Sequence, residues 1–396
     1  MSAPVAAPAG APSIAERWHK KWKPWCIKNF LPLGLVFCFA LALSWPWLGE
    51  QVASWKSGEF RVVQTALVCL IFVISGVTLK TADIVGAVTA YAALGYGLVA
   101  IVLITPMLGF AAVDIPFKPA EFKIGLAVFC CVPTTLTSGV TLAQQAKGNG
   151  ALALMLTVVS NLLGVFTVPF LLELVVDSAD VSVDGVALLL KLAVSILLPL
   201  AVGKSMREFL GGFSKTVQRF VTRHKVELGL TNNAALLCIV WQNLSRSRDD
   251  LINCSAGEIF LMLFAGVCVH VIFLVFNWTA ATHVLRLPEK QRRSVIILTS
   301  QKTLPVAITV ISYLDESAVG RHGLIAIPCI VGHMTQLFMD AVFVSRWAAI
   351  DPDKQPSRLQ QELSSIAIGG GAAEEAGTAA SDSPPADGEP PDKPGC

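Results

Sequence analysis

Apolar residues along this chain gather into runs of about 17–25, separated by short polar or charged intervals, a length that crosses a hydrocarbon core at ~1.5 Å rise per residue. Ten runs can be counted, at roughly 29–48, 60–79, 86–110, 121–146, 150–174, 185–203, 229–244, 258–279, 292–314 and 322–345. They predict an all-α polytopic membrane protein. Composition agrees: 54% of residues are hydrophobic and 15% charged, against ~25% charged in soluble domains, and the mean hydropathy is +0.63. Such a chain cannot cover a globular surface with charge.

The few charges orient the spans. Lys and Arg near span ends fall on one side by roughly three to one, the excess expected of cytoplasmic loops. Its main clusters are Arg17 to Lys28, Lys204 to Lys225, Arg286 to Arg293 and Arg346 to Arg358. This predicts both termini inside and an even number of spans. Trp45, Trp47, Trp55, Trp278 and Trp347 lie near span ends, where an amphipathic ring favours the headgroup level. Residues 1–28 read as an N-terminal cytoplasmic segment with no separate apolar run before a small-residue cleavage site. Residues 349–396, rich in Gly, Pro, Ala, Ser and acid, read as a disordered tail. A net charge of +2 points to no acidic partner, and no basic tract with interleaved aromatics points to nucleic acid. The oligomeric state is not legible.

The ten cysteines are mostly within spans, where Cys behaves as a small hydrophobe, and none has the spacing of a metal or redox pair. Phosphate-binding-loop, nucleophile-elbow and HExxH motifs are absent. No enzyme activity, resident metal or cofactor is expected; sodium and the proton stay open as coupling ions.

Two spans are interrupted. Span four, EFKIGLAVFCCVPTTLTSGVTLAQQA, carries Pro133 followed by Thr134, Thr135, Thr137 and Ser138. Span nine, RRSVIILTSQKTLPVAITVISYL, carries Pro305 preceded by Thr299, Ser300, Gln301, Lys302 and Thr303. Each proline is expected to free the carbonyl four residues back, at Phe129 and Gln301, and to push its predecessor out of the helical region. These are the fourth helices of two five-helix halves, 29–174 and 185–348, joined by a linker at 175–184. An odd number per half inverts the second relative to the first. Paired broken helices in inverted repeats point to a transporter site at the midplane.

Lys302 stands ~15 Å from either end of span nine, where a lysine costs ~2.5–3.5 kcal/mol on insertion scales. It is expected in the cavity beside both broken helices, as fixed cation or proton carrier; the plainer reading is a lysine bonded to free carbonyls for structure alone. No acid is expected at its depth, since Asp340 is six residues from Arg346 and is assigned to an interface. His333 and Gln336, spaced i and i+3, and Thr157, Ser160 and Asn161 on span five are further candidates for lining the site.

Several short motifs in order resemble the bile acid:sodium symporter superfamily, solute carrier family 10, and most nearly its member-7 branch and the plant-type sodium/metabolite cotransporters. They are Ser75-Gly76-x-x-Leu79-Lys80-Thr81, Gly148-Asn149 with Pro169 beyond, Gln301-Lys302-Thr303 and His333-x-x-Gln336. The resemblance covers about 29–348. It implies ten helices in inverted repeats, a panel of the first two helices of each half, a core of the last three, and alternating access carrying organic anions. Sodium-coupled members have a Glu and an Asn in an E-x-G-x-Q-N stretch and an Asn after a Ser in the partner helix; here those positions are Ile297, Lys302 and Gly139, while Gln301 and Thr157 remain. Uncoupled or proton-linked transport is therefore expected, with Lys302 replacing the ion. The competing reading is a membrane regulator of calcium or secretory-pathway homeostasis with little transport. A cation/proton exchanger is disfavoured by the lack of paired intramembrane carboxylates. Plasma membrane or endomembrane is the expected location, with the plastid envelope as the alternative.

Overall fold

Proline, glycine and buried polar residues decide where these apolar runs bend. The computed structural model describes residues 22–57, 60–79, 90–135, 138–179, 181–208 and 211–350. Thr137, Lys80 and Thr81, the start of the third run, and nearly all of both tails lie outside the described residues. Within the described residues the protein is almost entirely helical. After a short α1 (Lys23–Lys28), α2 (Phe30–Ser44) meets α3 (Trp47–Ser54) at a bend of 97°. Pro46 stands at that bend. A two-residue hairpin, β1 (Lys56–Ser57) and β2 (Phe60–Arg61), leads into α4 (Val62–Thr78).

The third run is continuous but irregular. It comprises α5 (Tyr91–Val99), a π-turn at Ala100–Ile104, a 3₁₀ turn at Thr105–Met107 and α6 (Leu108–Val113). Pro106 has no N–H for the regular ladder, and the wider turn ahead of it accommodates the loss. The fourth run is split into α7 (Glu121–Cys131) and α8 (Ser138–Gln145). Helix α8 ends on Lys147 at φ 57, with Gly148 N–H bonded back to Ala143 O at 2.8 Å, a left-handed C-cap. The next helix, α9 (Gly150–Asp177), starts under Asn149, whose side chain accepts from Leu152 N.

The second half continues with α10 (Gly185–Leu192), a π-turn at Ala193–Leu197, α11 (Leu198–Glu208), α12 (Gly211–Arg223), α13 (Lys225–Arg246) and α14 (Arg248–Asn253). Then come α15 (Ala256–Thr279), which starts on a Ser255/Glu258 capping box, α16 (Glu289–Ser300), α17 (Leu304–Tyr313), α18 (Glu316–Val319) and α19 (His322–Ala349).

Among the described residues six helices are long and apolar enough to span a membrane, seven if α2 and α3 count as one. The remaining runs fall short for identifiable reasons: α4 has 17 residues, and α13 is diluted by Asn232, Asn233, Gln242 and Asn243. The polytopic membrane class stands.

Two close crossings order the packing. A Cβ on Gly76 would lie 2.3 Å from Leu200 O, and one on Gly203 would lie 2.3 Å from Val73 O, so α4 and α11 touch backbone to backbone. Likewise a Cβ on Gly125 would lie 2.1 Å from Ile325 O, where α7 meets α19. The ninth run is sheathed by protein: its most apolar 18-residue window is 100% buried. Two apolar clusters form the interior, one holding Phe122, Phe129, Leu304 and Ile308, the other Ile101, Ala143, Leu156 and Leu298. Both broken runs pass from one cluster to the other through an extended, polar stretch.

Candidate functional site

The two breaks are built differently. In the fourth run Pro133 lies inside the extended segment, and Val132 before it is held at ψ 153, as a residue preceding proline should be. In the ninth run helix ends at Ser300, Gln301 to Thr303 are extended, and Pro305 stands in the first turn of α17, where its missing N–H costs nothing. The expected release of the Gln301 carbonyl by Pro305 is thus corrected, since Gln301 already lies outside the helix, whereas Phe129 lies within α7 and Pro133 offers it no N–H, as expected. The carbonyls exposed by the breaks are those of Val132, Pro133, Thr134 and Lys302.

Each of these is met. Thr303 N–H donates to Pro133 O at 2.9 Å, joining the two breaks directly. Thr134 Oγ1 donates to Leu298 O at 2.5 Å, and Asn161 Nδ2 donates to Thr134 O at 2.9 Å and Thr157 O at 2.8 Å. Gln336 acts as a substitute peptide for Lys302: its Oε1 accepts from Lys302 N at 2.8 Å and its Nε2 donates to Lys302 O at 2.6 Å. The same Nε2 lies 2.8 Å from His333 Nδ1. Nδ1 also lies 3.3 Å from Lys302 O; accepting from Gln336 puts the ring hydrogen on Nε2, whereas donating to Lys302 O puts it on Nδ1.

Lys302 is fully buried. Its ammonium donates to Thr105 Oγ1 at 2.8 Å, Val132 O at 2.9 Å and Ile101 O at 3.4 Å, and lies 5.5 Å from the centre of the Phe273 ring. The break in the fourth run supplies one acceptor and the irregular turns of the third run supply two. The expected position is corrected in one respect: Lys302 is beside the unwound backbone but does not line the cavity.

A second correction concerns depth. Asp340 is 1% exposed. Its Oδ2 accepts from Gln301 Nε2 at 2.6 Å, and its Oδ1 is 3.0 Å from His270 Nε2. Counting residues to Arg346 measured distance along the helix and ignored which way the side chain faces. His333, Gln336 and Asp340 share one stripe, at i, i+3 and i+7, turned into the bundle. That spacing was a readable signal, as was a histidine midway along the eighth run. Gln301 then connects this pair to the fourth run, since its Oε1 accepts from Thr135 Oγ1 at 2.8 Å, which in turn accepts from Gly139 N at 2.8 Å.

A cavity of about 620 Å³ opens beside the crossing. Thr135, Ser138, Thr303, Pro305 and His333 form its deep end, with Asn232 and Asn233 of α13 opposite; Asn29, Gln145 and Ser345 line it farther out. Among the described residues no lysine, arginine or carboxylate is in its lining. Two deep groups, His333 Nε2 and Thr303 Oγ1, are buried without a hydrogen-bond partner. The first turns of α8 and α17 both begin at this wall, so two helix N-termini face it. Of the other residues expected at the site, Gln301, Gln336 and Thr134 hold the crossing together from behind. Thr157 bonds to Ala153 O within its own helix, and Ser300 Oγ is buried without a partner outside the cavity. Among the described residues no group of acidic, His and Cys side chains could hold a metal.

The opposite end is crossed by ion pairs. Glu316 meets Arg61 at 2.7 Å, Arg246 at 3.3 Å and His322 at 3.4 Å, while Arg321 pairs with Asp250. Burial acts to raise the Glu316 pKa, but His322, Arg61 and Arg246 outweigh it and hold the carboxyl at about 2.

Residues 29–349 match the SBF-like CPA transporter family. The chain is 38% identical over 334 residues, 82% of its own length and 76% of the relative's, to a probable sodium/metabolite cotransporter BASS4, chloroplastic, of Oryza sativa subsp. indica. It is 35% identical over 347 residues, 85% and 77% of the two lengths, to the protein of the same description from Arabidopsis thaliana. Sodium/bile acid cotransporter 7 of Danio rerio is 23% identical over 337 residues, 80% and 93%.

Proposed function

The chain belongs to the SBF-like CPA transporter family, a family of carriers rather than enzymes, and from that premise we propose that it moves a small organic anion by alternating access without a requirement for sodium. The observation that carries this reading is the deep wall of the cavity. His333 Nε2 and the Thr303 hydroxyl are buried at it without protein partners, and two helix N-termini begin there, which in the Nε2–H tautomer together favour an anion. With no cation among the described lining residues, recognition rests on neutral donors and backbone dipoles. A cavity of about 620 Å³ suits a metabolite-sized solute.

The ten-crossing, inverted-repeat layout is part of the proposal. Adding α4, α13 and the broken fourth run to the seven brings the total to ten. In that layout α2, α4, α10–α11 and α13 form the panel, supported by the Gly76/Gly203 crossing and by Cys38 Sγ donating to Leu237 O. The remainder forms the core. With the N-terminus inside, the cavity faces inward and the Glu316 cluster, which ties α18 to Arg61 and Arg246, closes the outer end.

Sodium independence is supported by the ligand set. Lys302 places its own charge among three oxygens that could otherwise have served a metal ion. A Cβ on Gly139 would already meet Thr135 Oγ1 at 2.6 Å, leaving no room for an added ligand side chain. The test is uptake of small carboxylates into proteoliposomes with and without a sodium gradient; steep sodium dependence would refute the proposal. The descriptions of the plant relatives as chloroplastic favour the plastid envelope over the plasma membrane, and imaging of the tagged protein decides between them.

A further inference from the structure

We propose that Asp340, seated on His270, is a proton-binding site whose occupancy is reported to the solute cavity by reversal of the Gln301 amide, making the protein a proton–anion symporter. This rests on the carrier reading above and names its coupling ion.

The argument follows the donors. With Asp340 ionised, Oδ2 can only accept, so Gln301 must present Nε2 to it, as it does at 2.6 Å. That orientation turns Oε1 toward Thr135, which therefore spends its only hydroxyl hydrogen on Gln301 while accepting from Gly139 N–H. Thr135 lines the cavity but has no hydrogen left to offer a solute. When a solvent proton binds Asp340 Oδ2, the new O–H donates and Gln301 satisfies it only with Oε1 turned inward. Nε2 then points at Thr135, which accepts from it and from Gly139, and its hydroxyl hydrogen is released toward the cavity. A solute anion takes that hydrogen bond. Throughout, His270 Nε2–H can keep donating to Oδ1.

One proton thus creates one donor at the anion site, and by linkage the anion strengthens proton binding to the same degree. Each alone is disfavoured: the anion has one donor fewer, or the Thr135 hydrogen is left without an acceptor. This makes the two travel together. Among the described residues, Asp340 is also the one ionisable residue in the lining of a second, largely apolar cavity of about 310 Å³ between α15, α16 and α19, with Leu274, Ile297 and Trp347, on a different side of the bundle from the solute cavity. The titratable and charged groups facing this region are His270 on α15, Arg293 and Lys302 on and after α16, His333 on α19, and the thiols of Cys130 and Cys131 on α7. Helix α8 carries none. The other charges of these helices stand near their ends.

The experiment uses the full-length protein in lipid nanodiscs, with aspartate selectively labelled with ¹³C, followed by infrared spectroscopy as pH is lowered. A protonated carboxyl band appears on acidification and is missing from Asp340→Asn. If that variant does not assemble, Gln301→Leu, which keeps the carboxyl and removes its amide partner, must shift the band. In parallel, proteoliposomes with an acid-outside gradient are given pyruvate as the probe. One proton per anion drives accumulation of about tenfold per pH unit, and Thr135→Val abolishes accumulation while leaving the infrared titration intact. Absence of a titrating aspartate band overturns the proton site whatever pyruvate does. A titrating band with pyruvate uptake indifferent to the gradient overturns the coupling and leaves the carrier. A titrating band with no pyruvate flux supports the proton site and counts against the carrier reading for this probe.

Discussion

Replacing Lys302 with Met separates a charge kept for function from a strut kept for folding, because the two chains are nearly equal in length. In the wild type the buried ammonium loses hydration worth several kcal/mol and has no carboxylate among its hydrogen-bond partners. It regains about 1.5–3 kcal/mol from each charged hydrogen bond and about 2 kcal/mol from a desolvated aromatic face. With three bonds and the Phe273 ring, gain and loss are of similar size. Met removes both sides of that balance. What it leaves behind is a small deficit: Thr105 shares its one hydroxyl hydrogen between Ala100 O at 2.8 Å and Ile101 O at 3.3 Å, and Val132 O loses its lysine partner outright. One orphaned carbonyl costs about 1–3 kcal/mol. Lys302→Met is therefore expected to fold, with a melting temperature lowered by only a few degrees, and to lose pyruvate flux. Once the partly buried thiols of Cys26, Cys69, Cys238, Cys254 and Cys268 have been blocked, a thiol-reactive dye reads the melting, because Cys130 and Cys131 are 0% and 2% exposed and react on unfolding. A variant that fails to assemble would show that Lys302 is structural; one that folds and transports normally would show that its charge is dispensable. Either result refutes the reasoning.

Acid should loosen the end opposite the cavity. Because the Glu316 carboxyl is held at about 2 when folded against an ordinary ~4.3, the stability it lends is complete above the ordinary value and lost as pH falls toward about 2. Hydrogen exchange over 313–322 should rise across that window, and Glu316→Gln should raise it at neutral pH. Gly203→Val should abolish folded protein in size-exclusion chromatography, since even a Cβ would meet Val73 O at 2.3 Å, and backbone cannot move aside as a side chain would. Arg293→Ala should lower stability by about 2–5 kcal/mol, read by the same dye, because it leaves Ala146 O and Trp347 O, at the ends of α8 and α19, without the guanidinium they share. His333→Ala should weaken solute affinity, since its Nε2 has no protein partner, and should also lower the melting temperature by a few degrees, since Nδ1 contacts Gln336 and Lys302.

The membrane class, the positions of the two breaks and the singling out of Lys302 were all legible in the one-dimensional pattern, because each is a local cost. A proline cannot continue a regular helix across itself whatever surrounds it, and a lysine at the midplane needs a partner whatever that partner is. The pairing of His333 with Gln336 was legible for the same reason, as a periodicity on one helix. What tertiary structure alone decided is who answers those costs. The acceptors of Lys302 come from Ile101, Thr105 and Val132, some 170 to 201 residues away in the chain. Asp340 proved to be buried against His270 and Gln301, 70 and 39 residues distant. Rotation of a helix about its own axis, which faces a side chain toward lipid, cavity or neighbour, is set by close crossings such as Gly125 on Ile325 and Gly76 on Leu200. No count of residues from a span end contains that rotation.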